Sequence, residues 1–191
     1  HVVIAPQADI WMRDFTLSNA SNPVMFRYTA AGQGGSQSDA DYVQDGFYRA
    51  ANSAGLSFAE TRLLNDGGNL VDDYQGRAVV STKFLADNKL GEAQARRTLQ
   101  TSLDAKEVAF IDSDEQGGLE HADGVVAFIE PNVLVVNDYS EDPAYTQRLL
   151  ADLRRGLPTV KIHPIVTPYD DSQVYDPKFG SACGLYTNML V

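Results

Sequence analysis

A strand, strand, helix, strand pattern recurs along this chain at a spacing of about 50 to 53 residues, which restricts it to repeat architectures. Helical periodicity marks Ala40–Ser53, with Ser38 or Asp39 as cap and Gly55 as stop, then Glu92–Leu103, then Pro143–Arg155, where Asp142 caps, Pro143 takes the first position and Gly156 stops. Each helix is followed by an apolar closing strand: Leu56–Thr61, Glu107–Ile111 and Thr159–Ile165. Each is preceded by two extended runs: Val2–Ala5 and Val24–Thr29, then a hairpin of Gly67–Val71 with Arg77–Thr82, then Ala122–Ile129 with Val133–Asn137. The fold class expected is α/β, one domain of repeats spanning about 1–65, 66–118 and 119–170, with 171–191 opening a fourth. The apolar run Leu185–Val191 stops in mid-strand, so a longer protein is expected.

The repeat gives some polar residues a shared phase. Asp14, Asn69 and Asp123 lie about 55 residues apart, and the same step again reaches Tyr186-Thr187-Asn188. In a closed repeat, equivalent positions converge on the axis, so these side chains are expected to meet. His121 lies two residues before Asp123, and in an extended segment the two project from one face. That pairs a proton carrier near neutral pH with a fixed negative charge.

Composition narrows the partners. The formal net charge is −11, from 26 acidic against 15 basic residues in a chain of 191, which argues against nucleic acid and favours a cationic ligand. No apolar run approaches the roughly 18 residues of a membrane helix, so neither a membrane partner nor a membrane location is expected. Cys183 is the single cysteine, which excludes an internal disulfide and a Cys-based zinc site, and it reads better as a packed residue than as a nucleophile. Gly32–Ser36 lacks the lysine of a phosphate loop and reads as a flexible connector, while Asp112–Glu115 and Asp138–Asp142 do not have calcium-loop spacing. His1 and His163 have no evident partner.

Two carboxylates, Asp14 and Asp123, suit a planar guanidinium, whose five N–H donors pair with carboxylates, and His121 would move the proton. Simpler roles stand beside these: an ion pair of Asp14 with Arg13, a turn at Gly-Gly-Asn69, a structural His121. A metallohydrolase using His121, Asp123 and Asp14 as ligands is a rival, as is a non-catalytic protein that binds guanidines or a partner.

Trp11-Met12-Arg13-Asp14, Asp66-Gly67-Gly68-Asn69, His121-Ala122-Asp123-Gly124 and Ala182-Cys183-Gly184-Leu185-Tyr186-Thr187-Asn188, in that order, resemble the agmatine deiminase and bacterial-type peptidylarginine deiminase family. The resemblance implies a pentein, an α/β propeller of five strand-strand-helix-strand modules, here a partial chain. It implies hydrolysis of a guanidino group to a ureido group with release of ammonia, agmatine being favoured over peptidyl arginine. Asp14 and Asp123 would bind the guanidinium, His121 would serve as acid and base, and Trp11, Asn69 and Asn188 would line the substrate site. The nucleophilic Cys of the family is expected beyond Val191, with no metal and no organic cofactor. Asp66 stands where many members have Glu, and Phe15-Thr16-Leu17 replaces Thr-Gly-Pro. A cytoplasmic location is expected, or a secreted one for a peptidylarginine deiminase; a homo-oligomer is left open.

Overall fold

The computed structural model describes residues 7–19, 21–114, 118–167 and 186–189. Within them run α1 (Met12–Phe15), β1 (Val24–Arg27), α2 (Gln37–Ser53), β2 (Ala59–Leu64), β3 (Leu70–Asp72), β4 (Arg77–Ser81), α3 (Lys83–Asn88), α4 (Glu92–Leu103), β5 (Glu107–Ile111), β6 (Val126–Glu130), β7 (Val133–Asn137), α5 (Pro143–Gly156) and β8 (Lys161–Ile165). The expected strand Val2–Ala5 and Cys183 lie outside the described residues.

One topology recurs. β3 and β4 form an antiparallel hairpin, α3 and α4 cross over, and β5 returns parallel to β4. β6, β7, α5 and β8 repeat the arrangement. In the first unit β1 and β2 pair in parallel across α2, and the only antiparallel contact to β1 among the described residues is the bridge from Ser18 to Val24. The three sheets do not close on one another within the described residues.

The middle sheet is covered on both sides, which is why its strands are apolar at consecutive positions rather than alternating. Ala78, Val80, Val108 and Phe110 face Leu99 and Leu103 of α4 together with Val24 and Phe26 of β1. Val79, Ala109 and Ile111 face the other way, onto Leu149 and Leu153 of α5 and Leu134 and Val136 of β7. Leu153 is completely buried there. Truncating it leaves a cavity, so Leu153→Ala is expected to cost roughly 2–5 kcal/mol, read as a lowered urea midpoint at unchanged m-value.

Local chemistry explains the boundaries. Asp142 caps α5 by accepting from the Tyr145 amide, with Pro143 at the first turn. Gly156 is the last residue of α5 rather than a stop beyond it, and its role is contact: a Cβ there would collide with Ala109 of β5. α2 starts at Gln37, not Ala40, because the cap is Ser36, whose hydroxyl accepts from the Asp39 amide at 3.3 Å. Part of the connector expected to be flexible is a 3-10 turn, Ala30–Gln33, with Gly32 against the Tyr28 ring. β2 begins at Ala59 rather than Leu56, where its Cα register with Val24 starts.

Candidate active site

The site is assembled from segments outside the strands of all three units. Asp14 belongs to α1, whose next residue, Phe15, is completely buried against Tyr28. Gln44 of α2 ties these pieces together, donating to the Phe15 and Phe26 carbonyls and accepting from the Tyr28 amide. Asp66 follows β2, and its carboxylate accepts from the Thr29 amide and the Thr29 hydroxyl, both at 2.9 Å. His121 and Asp123 precede β6.

His121 and Asp123 are not on a strand, contrary to the sequence expectation. Glu120 takes a left-handed φ of 52°, and residues 122–125 turn before β6 begins at Val126. The turn, rather than strand alternation, sets the relation of the two side chains.

The His121 ring lies between two carboxylates. Nε2 is 3.2 Å from Asp66 Oδ2, and Nδ1 is 4.0 Å from Asp14 Oδ1. A carboxylate only accepts, so the Asp66 contact puts a proton on Nε2 and leaves Nδ1 as the nitrogen that exchanges one. Close approach is made possible by two glycines. A Cβ on Gly68 would run into the His121 ring and press on Asp14, and one on Gly67 would strike the Arg13 carbonyl. The Gly68 main chain also bonds Asp14 and Asp123, its N–H donating to Asp14 Oδ1 at 3.0 Å and its carbonyl accepting from the Asp123 amide at 3.0 Å.

Asp123 is buried, with Arg13 Nη1 3.5 Å from its carboxylate. Arg13 therefore pairs with Asp123, not with its neighbour Asp14. The other guanidinium nitrogen, Nη2, donates to the Met189 carbonyl at 3.1 Å. Arg13, Asp123, Thr187 and Met189 line one end of a cleft of about 480 Å³ that extends between β3 and β6 to Asp72 and Glu130.

Three further residues expected to line the ligand site have the following surroundings. The Asn69 amide is consumed internally: it donates to Asn65 Oδ1 at 3.1 Å and accepts from the Ser81 amide at 2.8 Å, so it braces the Gly-Gly turn. Trp11 is exposed at 61%, and Asn188 is exposed while its neighbours Thr187 and Met189 meet the cleft. Asp66 was absent from the expected site set, and its signal was the acidic residue directly before Gly67-Gly68. Among the described residues no group of three His, Cys, Asp or Glu side chains is placed to hold a metal ion, so the rival ligand set of His121, Asp123 and Asp14 is not assembled.

Electrostatics favours protons here. Burial, the largest influence, pushes Asp123 up to about 6 from 3.8, against the lowering charges of His121 and Arg13. Burial also raises Asp14. For His121 burial opposes the charge, but the hydrogen bond to Asp66 and the charges of Asp14 and Asp123 outweigh it and raise its pKa above 6.5. A raised carboxyl costs stability above its folded pKa, and a raised imidazole contributes fully below 6.5 and loses its contribution above. Asp72, pushed up to about 6 by burial and by Asp73, adds the same sign. The urea midpoint is therefore expected to be higher at about pH 5.5 than at pH 8, with Asp123→Asn shrinking the difference; an equal or reversed dependence would contradict this.

The fold matches the agmatine deiminase of Enterococcus faecalis (TM-score 0.65, 19% identity, 86% of this chain and 51% of that one). It also matches the Campylobacter jejuni agmatine deiminase (0.65, 16%, 87% and 53%). A further match is the N-terminal domain of ArgZ, an arginine dihydrolase of the ornithine-ammonia cycle in cyanobacteria (0.56, 14%, 94% and 57%). The chain spans about half the length of these structures, and no curated protein matches it. It is thus an α/β protein with the agmatine deiminase fold. A family model described as Porphyromonas-type peptidyl-arginine deiminase matches residues 1–190, and the chain belongs to that deiminase family. No helix among the described residues is long and apolar enough to cross a membrane.

Proposed function

We propose that this chain carries the guanidinium-binding and acid-base half of a deiminase that hydrolyses a guanidino group to a ureido group and ammonia. The observation behind this reading is the His121 ring held between Asp66 and Asp14, with the buried carboxylate of Asp123 close enough to raise its pKa. Asp14 and Asp123 grip the guanidinium by paired charge-assisted hydrogen bonds. A thiolate from a Cys expected beyond Val191 attacks the guanidinium carbon, and His121 protonates the departing ammonia. His121 then takes a proton from water, which attacks the same carbon and displaces the thiolate, giving the ureido product. The substrate is a small cationic guanidine such as agmatine, in keeping with the buried carboxylates and a cleft of about 480 Å³. In the complete protein these units belong to a closed pentein ring of five modules.

The test is ammonia and ureido-product release by the full-length protein from agmatine, free arginine and an arginine peptide. Agmatine is expected to be turned over best, with KM rising as pH falls through about 6, where Asp123 takes up its proton. Preference for the arginine peptide would replace the substrate assignment with protein citrullination. Release of ammonia from none of the three would end the deiminase reading for this protein.

A further inference from the structure

Arg13 is a guanidinium supplied by the chain itself, placed against one of the two carboxylates assigned to the substrate's guanidinium. It sits 3.5 Å from Asp123 Oδ2 through Nη1 and donates to the Met189 carbonyl through Nη2. Its side chain is 38% exposed against 5% for Asp123, so one partner is free to swing outward and the other is not. The backbone holds this placement, because Gly67 lies directly on the Arg13 carbonyl and Phe15 anchors α1 two residues on.

The charged groups around Asp123 make the position of Arg13 consequential. His121 and Asp14 face it, Asp66 lies behind His121, and the cleft walls carry Asp72, Tyr74, Glu130 and an Asp73 already paired with Arg77. Among the described residues, apart from His121 and Arg13, the groups that face Asp123 or lie beyond it in the cleft are acidic or neutral at pH 7. A second guanidinium arriving at Asp123 would meet repulsion from Arg13 unless Arg13 withdraws.

We propose that Arg13 is a positioning residue: a resident countercharge that holds Asp123 and the 187–189 segment together, and that yields Asp123 to an incoming guanidinium. This rests on the guanidine-binding reading above. It gives Arg13 two opposed effects. Where Asp123 is prone to protonation, Arg13 favours binding by keeping the carboxylate charged; where Asp123 is fully charged, Arg13 competes with the ligand.

The consequence is a crossover that loss of packing does not produce. In Arg13→Gln, methylguanidine measured by calorimetry is expected to bind roughly two- to fivefold more weakly at about pH 5.5 and by a similar factor more tightly at about pH 8. Arg13→Lys, which keeps the charge, is expected to recover part of both changes. Weaker binding at both pH values, with thermal stability also lowered, would overturn the proposal in favour of a packing role. A measurement on the unmodified protein stands independently of whether the variant folds: the Arg13 Nε–H NMR signal is expected to move with methylguanidine along the binding isotherm. Binding that leaves that signal unmoved would overturn it as well. If methylguanidine binds neither protein, the guanidine reading fails, and a carbon-13 titration of the Asp123 carboxyl then decides the coupling alone. That carboxyl is expected to titrate at higher pH in Arg13→Gln, and an unchanged titration would remove Arg13 as its countercharge.

Discussion

His121→Ala in the full-length protein is expected to lower kcat by about 10²- to 10⁴-fold while leaving the affinity for a guanidine nearly as it was. His121 handles protons, whereas the charges that attract a cation reside on Asp14 and Asp123, both of which keep their backbone supports without the imidazole. Asp123→Ala is the counterpart, expected to raise KM steeply, because it removes a buried carboxylate of the clamp. Steady-state kinetics with a direct binding measurement separates the two outcomes. Equal loss of folding in both variants would instead assign the pair to structure.

A second large effect is expected at Asp66. Asp66→Asn keeps the shape but removes the acceptor-only group that places the proton of His121 on Nε2, so an amide N–H can face the ring and favour the opposite tautomer. A loss of about a hundredfold or more in kcat is expected. The variant also removes one of the influences raising the His121 pKa, so the alkaline limb of the pH profile should move toward neutrality. An unchanged kcat and an unmoved limb would show that Asp66 serves only to hold Thr29.

Some of this architecture was legible in the sequence because it is local. α4 and β5 have the bounds their apolar spacing predicts, and the Asp142-Pro143 pair marks the start of α5. Other elements depend on contacts that spacing does not carry. α3 is a short helix with Phe84 as its buried residue, too brief to declare a period. β2 has no buried residue and, among the described residues, pairs with β1 alone, so no alternation marked where it begins.

The site divides along the same line. Asp14, His121 and Asp123 could be singled out from residue type and repeat phase, and the structure places them around the Gly68 peptide. Asp66 carried a weaker signal, an acidic residue directly before Gly67-Gly68, because its contact with His121 is made across 55 positions of chain. Asn69 shows the limit of repeat phase. Its phase matches the others, and its amide donates to Asn65 and accepts from the Ser81 backbone, a bracing role that phase alone does not convey.

The Gly68 peptide has an implication for how such a site can change. Gly68 bridges the two residues of the clamp with its own main chain, its N–H reaching the Asp14 carboxylate and its carbonyl reaching the Asp123 backbone amide. That link is made by the main chain of one glycine rather than by a further side chain, so side-chain substitutions elsewhere do not remove it. Variation is then free to act on the cleft walls, altering what hangs from a guanidinium while the link between the two residues of the clamp stays in place.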